Sequence, residues 1–137
     1  NVGGSLGYPK ASINCSFDSG NTCVQNYENG SIIYSPNTGA HAIYGDILLR
    51  YRETGNIGGT LGLPTSDINC NIGREGACVQ NYENGSILYS VENGAWELYG
   101  SILESYRRSG NVGGSLGYPK GPITSTGQQF EGGYISR

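Results

Sequence analysis

The sequence contains no methionine, one histidine and one tryptophan, and charged residues make up 14% of its 137 positions. Its lysines and arginines are scattered, and the net charge is −3. Nucleic-acid binding needs a basic patch to neutralise phosphates, so that class is disfavoured. No run of about 18 apolar residues occurs, so no membrane insertion is expected. No leader pattern is visible, and a chain opening at Asn1 reads as a processed or truncated product. Low charge also argues against intrinsic disorder, which goes with high net charge. Glycine (24 residues) and tyrosine (11 residues) are abundant instead. The hydrophobic fraction is only 36%, so aromatic rings must supply much of the burial, each on the order of 150–250 Å².

One unit is written twice in full and once in part. Leu6, Leu61 and Leu116 each stand in a Gly-Gly-Ser/Thr-Leu-Gly-x-Pro string, at steps of 55 residues. The run Val24 to Ile32 returns unchanged as Val79 to Ile87, and 30 of 55 aligned positions are identical between the first two copies. Asn111 to Lys120 then matches Asn1 to Lys10 at every position before the chain stops at Arg137. A fixed period of this kind signals repeat architecture. We read 1–137 as a single repeat domain, with units 1–55 and 56–110 and a partial unit 111–137.

Four cysteines come as two local pairs, Cys15/Cys23 and Cys70/Cys78. The third unit lacks both and is seven residues shorter there. Four cysteines allow three connectivities, and the symmetry favours each pair closing its own inserted loop. A zinc site uses closer Cys-x₂₋₄-Cys pairs, and calcium uses a loop of alternating acidic or amide residues, so no metal is expected. No cofactor motif is present either. Disulfides imply an oxidising compartment, hence a secreted or extracellular protein.

Within a unit, Cys23–Tyr27 and Ser31–Tyr34 flank Asn29-Gly30, a strong hairpin signal because both turn residues tolerate positive φ. A second turn leads to a third strand, Ala40–Tyr44, with Ala95–Tyr99 as its copy. A short helix comes next. Ile47, Leu48 and Tyr51 form its apolar stripe, repeated by Ile102, Leu103 and Tyr106. Ser101 with Glu104 reads as a capping box, and Asp46 fills the cap position in the first copy. Arg50 and Arg52, or Arg107 and Arg108, suit the C-terminal end of the helix dipole. Gly55 and Gly110 read as the residues that stop each helix. The fold class is therefore α+β: tandem βββα units, rich in strand and closed by disulfides.

The combination of Gly-Gly-x-Leu-Gly-Tyr-Pro, an aromatic-x-x-Gly-x-Ile hairpin, Gly-Ala-x-x-x-Tyr-Gly-x-Ile and Tyr-x-x-x-Gly-Asn-x-Gly-Gly resembles the LGFP repeat family. The resemblance runs through all three copies. It implies a cell-envelope or secreted protein that binds envelope glycans or anchors to wall polysaccharide. A similar βββα unit occurs in a small secreted mushroom lectin that binds fucosylated glycans. The cysteine-closed insertion departs from the usual bacterial pattern and favours the fungal lectin-like branch.

Candidate site residues come from the chemistry of sugar recognition, which stacks aromatic faces on pyranose rings and bonds hydroxyls with amides and carboxylates. Alternation along a strand places Asn26 and Glu28 opposite Tyr27, and Asn81 and Glu83 likewise. His41 and Trp96 occupy one equivalent position, and Tyr44 and Tyr99 another. These eight residues are the candidate ligand-binding set, with Trp96 the leading stacking residue. No catalytic residue is assigned. His41 has no nucleophile elbow to serve, and its copy is Trp96. Glu28, Glu83 and Glu131 lie in different units, whereas glycosidases use paired carboxylates. The reading is a non-enzymatic glycan-binding protein, with a wall-anchoring module and a glycoside hydrolase as rivals. Incomplete units at both ends suggest a homodimer that joins them.

Each cysteine pair closes a short loop. Replacing Cys70 and Cys78 together by serine should lower the free energy of unfolding by roughly 2–3 kcal/mol in denaturant titrations. No change would show that the pair does not restrain the chain.

Overall fold

A computed structural model describes residues 6–17 and 21–137. Asn1–Ser5 of the first connector and residues 18–20 of the first cysteine loop lie outside the described residues. Strands β1 (Asn14–Phe17), β2 (Thr22–Tyr27), β3 (Gly30–Ser35) and β4 (Gly39–Tyr44) form an antiparallel sheet in that order. Helix α1 (Gly45–Glu53) comes after β4. Strands β5 (Cys78–Tyr82), β6 (Gly85–Ser90) and β7 (Gly94–Tyr99) make the second sheet, continued by α2 (Gly100–Arg108). Strands β8 (Gly127–Phe130) and β9 (Gly133–Ser136) make a two-stranded third sheet. The expected βββα unit is present, and the disulfides are the local pairs Cys15–Cys23 and Cys70–Cys78. Strand β1 goes beyond the expected unit. It pairs the start of the cysteine loop with β2, a contact that shrinks in the second unit to the single bridge Asn69 to Val79.

Two local expectations are corrected. The hairpin turn is Glu28-Asn29, with Gly30 already paired opposite Tyr27. Neither Glu28 nor Asn29 has positive φ, so this is not the Asn-Gly turn that the sequence suggests. The Leu-Gly-x-Pro connector shapes it instead. Glu28 donates its N–H to Tyr8 O and Asn29 donates to Leu6 O, at 2.9 and 2.8 Å. Gly30 is needed for space: a Cβ there would lie 2.5 Å from both Ile43 O and Leu6 Cδ2. The leucine of each connector therefore plugs the glycine of its hairpin, as Leu61 does over Gly85.

The helices also start earlier than the capping box implies. β4 runs directly into α1, so the extended Tyr44 is the N-cap and makes no side-chain cap bond; Tyr99 does the same for α2. Gly45 and Gly100, at φ 65° and 62°, turn the corner in a conformation that other residues resist. Ser101 falls inside the first turn and cannot cap. At the other end, Gly55 and Gly110 stop the helices as expected, at φ 112° and 110°.

Short helices are marginal alone and need a packed face. Here each helix lies between two sheets. Ile47, Leu48 and Tyr51 join Ile33 and Ile43 of the first sheet to Leu61, Tyr82, Ile87 and Ala95 of the second unit. Ile102, Leu103 and Tyr106 likewise join Leu88 and Leu98 to Tyr118 and Phe130. The Tyr51 ring stacks on Tyr82 at 5.0 Å, and its hydroxyl donates to Gly62 O at 2.7 Å. Tyr106 repeats this against Phe130 and Gly117 O. Burial pushes the Tyr51, Tyr82 and Tyr106 phenols upward, so all three stay neutral donors. A glutamine completes each joint. Gln80 donates to Ala42 O of the preceding unit and to Ser66 O, and Gln128 donates to Glu97 O and Gly121 O.

The first sheet presents the same outer residues, Gln25, Tyr27 and Ile32, but among the described residues no helix tyrosine stacks on Tyr27. Among the described residues the Gln25 side chain donates only to Ala11 O, and Tyr34 on that face is 43% exposed.

One joint is incomplete. Tyr82 donates its hydroxyl to Gln80 Oε1 at 2.8 Å, but the third unit has Phe130 there, and among the described residues the buried Gln128 Oε1 has no partner. Phe130→Tyr should therefore raise unfolding free energy by about 1 kcal/mol, and Tyr82→Phe should lower it by roughly 1–2 kcal/mol, in paired denaturant titrations. Equal effects of the same sign would contradict this account.

Candidate functional site

The three glutamates of the hairpins serve the connectors. Glu28, Glu83 and Glu131 each accept, through Oε1, the N–H of the residue after the connector glycine: Tyr8, Leu63 and Tyr118, at 3.1, 2.9 and 3.1 Å. The carboxylate sits where a Cβ on Gly7, Gly62 or Gly117 would fall, and those glycines have φ between 69° and 79°. Glu131 is further bound. Arg74, from the second cysteine loop, donates two bonds to it at 2.6 and 2.7 Å, and Asn93 donates a third. Arg74 also lies 4.2 Å from the centre of the Tyr118 ring. Hydrogen bonds from Arg74 hold the Glu131 carboxyl down at about 2.

His41 and Trp96 also have structural partners. His41 Nε2 donates to Thr38 O, and Trp96 Nε1 donates to Asn93 O, both at 2.6 Å. These are the same contact in two copies, from the strand back to its turn. His41 Nδ1 meets Asp67 Oδ1 at 2.7 Å. The Trp96 ring carries the Arg50 guanidinium 4.8 Å from its centre, and Arg50 in turn bonds the buried Glu97 at 2.7 Å. Glu97 also accepts the Ile123 N–H, so it ties α1 to the third connector. Tyr44 borders a separate cleft with Ile68, Cys78 and Tyr89 at the junction of units, and Tyr99 packs on the first core.

Of the eight candidate residues, Asn26 and Asn81 alone enter a site that both complete units build the same way. A groove of about 650 Å³ opens between the first sheet and the end of α1, lined by Val24, Asn26, Ser31, Tyr51, Arg52 and Asn56 among others. The second unit has its counterpart, about 180 Å³, lined by Val79, Asn81, Ser86, Tyr106, Arg107 and Asn111. Each of these six positions in the first groove lies 55 residues before its partner in the second, with identical residue type.

On its sheet side each groove presents an amide whose oxygen is already engaged. Ser31 donates to Asn26 Oδ1 at 2.6 Å and Ser86 to Asn81 Oδ1 at 2.7 Å, and among the described residues neither amide NH₂ has an acceptor. Asn56 and Asn111 come directly after left-handed glycines and themselves hold φ of 60° and 57°. Asparagine tolerates that conformation, and strained positions of this kind cluster at ligand sites. Phe17 adds an aromatic edge to the first groove, where Ile72 stands in the second. Serine, arginine and the second asparagine are absent from the set expected from sequence. The signal for them was their identity in both copies, shared with Asn26 and Asn81.

The LGFP repeat profile matches residues 6–59 and 61–114. The chain belongs to the LGFP repeat family. LGFP repeats are found in cell-envelope proteins. Both matched segments contain one groove each. The partial third LGFP copy lies outside the matched residues, although Leu116 to Pro119 builds the same connector. No curated protein matches the chain.

Glu131 gives the fold an acid-sensitive joint. Its carboxyl sits near 2, below the ordinary 4.5, so the folded state gains from its charge above about pH 4.5 and loses that gain as pH falls toward 2. Thermal melts of the native chain should weaken across that window more than those of Glu131→Gln. Parallel curves would place the acid sensitivity elsewhere.

Proposed function

We propose that the protein is a non-catalytic glycan-binding module that works outside the cell, with one binding groove in each complete LGFP unit. The repetition of the groove carries this reading. Two copies that differ at nearly half their positions keep the same Asn, Ser, Arg and Asn around it. Packing explains the tyrosines and the connector glutamates, but it does not require amide donors. Such donors beside apolar walls suit a sugar, which offers hydroxyl acceptors and C–H faces. Two weak sites on one chain favour repeated ligands such as surface glycans, by effective concentration. The disulfides fit an oxidising setting.

A wall-anchoring module of a larger envelope protein is the second reading, favoured by where LGFP repeats are found. It uses the same grooves on an immobile ligand. Hydrolysis has less support. Glycosidases need two carboxylates about 5–9.5 Å apart across the bond, and these glutamates are each bound to their own connector.

A glycan array read well below the melting temperature of both chains should return binding that falls at least tenfold in the double variant Asn26→Ala with Asn81→Ala, which melts lower because Ser31 and Ser86 lose their partners. Release from purified walls by free sugar marks the lectin, and retention despite it marks the anchor. No binding to any glycan or wall by the native chain would remove both readings.

A further inference from the structure

We infer that the grooves take an acidic glycan, with Arg52 and Arg107 each holding an anionic group of the sugar. This rests on the glycan-binding reading above and names the class of ligand.

The observation is the state of the arginines. Arg50 bonds Glu97 and Glu53, Arg74 bonds Glu131 and Glu92, Arg108 bonds Ser105, and Arg137 bonds Thr124 O. Among the described residues, Arg52 and Arg107 make no side-chain hydrogen bond or ion pair. They are also the one arginine position shared by both units, and each lines its unit's groove. Service to the helix dipole does not explain this. Arg50 and Arg108 sit in the same last turns, and their positions are not kept between units: Ser105 replaces the first and Glu53 the second.

The surroundings match an anion. On the sheet side of each groove the amides of Asn26 and Asn81 have their oxygens engaged by Ser31 and Ser86, which leaves their NH₂ groups to donate. Among the described residues, no carboxylate lines either groove. The chain's net charge is −3, yet among the described residues each groove holds a guanidinium and no carboxylate, although Arg52 also borders a neighbouring cleft with Glu28 and Asp46. Guanidinium presents a planar fork that matches a carboxylate or a phosphate in two parallel bonds. The apolar wall of Val24 and Ile33, or Val79 and Leu88, would face the ring of the sugar.

The test is calorimetry of the whole chain with three probes: a galacturonate oligosaccharide, the matching neutral galactose oligosaccharide, and mannose 6-phosphate. We expect either acidic probe to bind at least tenfold more tightly than the neutral one, and its affinity to fall with added salt. The carboxylate and phosphate arms distinguish the two sources of charge. Arg52→Gln with Arg107→Gln should abolish the preference, so that acidic-probe affinity falls at least tenfold more than neutral-probe affinity, while the melting temperature is unchanged. Arg52→Lys with Arg107→Lys should restore part of it, because charge returns without the fork. Equal affinity for acidic and neutral probes, or an acidic preference that survives the glutamine pair, overturns the inference and leaves the glycan-binding reading standing. Absence of all binding, including to neutral glycans, overturns both.

Discussion

A tyrosine wedged between two units holds this chain together. Tyr51 rises from α1, stacks on Tyr82 of the next hairpin and gives its hydroxyl to Gly62 of the next connector. Tyr106 does the same one unit later. A unit of three strands and a nine-residue helix cannot bury both faces of its sheet alone. The helix of one unit therefore completes the sheet of the next, and each core contains residues from both sides of the sequence boundary. Low aliphatic content is tolerable because each ring covers a large area in a defined stack. The cost of such a joint is its polar detail. Every hydroxyl, amide and carbonyl must find a partner, and among the described residues Gln128 Oε1 goes without one where phenylalanine replaces the tyrosine.

The Leu-Gly-x-Pro motif makes sense within this joint. The leucine fills the space above the hairpin glycine, and the connector glycine turns the chain at positive φ. The next N–H meets the hairpin glutamate, and the proline bridges the strand tyrosine or its phenylalanine substitute. The carbonyl of that same connector glycine receives the tyrosine of the preceding helix. Four residues thus connect one helix, one hairpin and one turn. This leaves the grooves framed on rigid elements, the sheet on one side and the end of the helix on the other, which suits a site that must hold donors in fixed directions.

Much of this is legible in the sequence, because the period is strict. The order of strands and helices, the local disulfides, Gly55 and Gly110 as helix stops, and the apolar stripe of Ile47, Leu48 and Tyr51 all arise from local chemistry. The hairpin turn and the helix start depart from expectation for a shared reason. Asn29-Gly30 and Ser101-Glu104 carry strong local signals, but a neighbouring segment decides the outcome. Leu6 demands the glycine for space, and a strand that flows straight into a helix leaves no room for a side-chain cap. The site is harder to see. Trp96, His41 and the glutamates look like ligand contacts because they are polar or aromatic beside turns, yet turn carbonyls and connector amides already occupy them. Arg52 and Asn56 are far in sequence from Asn26, and no spacing rule links them before the helix is folded onto the sheet.

Nuclear magnetic resonance mapping of a bound glycan tests the central claim most directly, because each candidate side chain reports separately. Titration with an array-positive oligosaccharide should move the side-chain amides of Asn26 and Asn81 and the Nε resonances of Arg52 and Arg107, while the Trp96 indole and His41 ring stay in place. Shifts concentrated at Trp96, His41 and the connector glutamates, with the groove residues unmoved, would contradict the account.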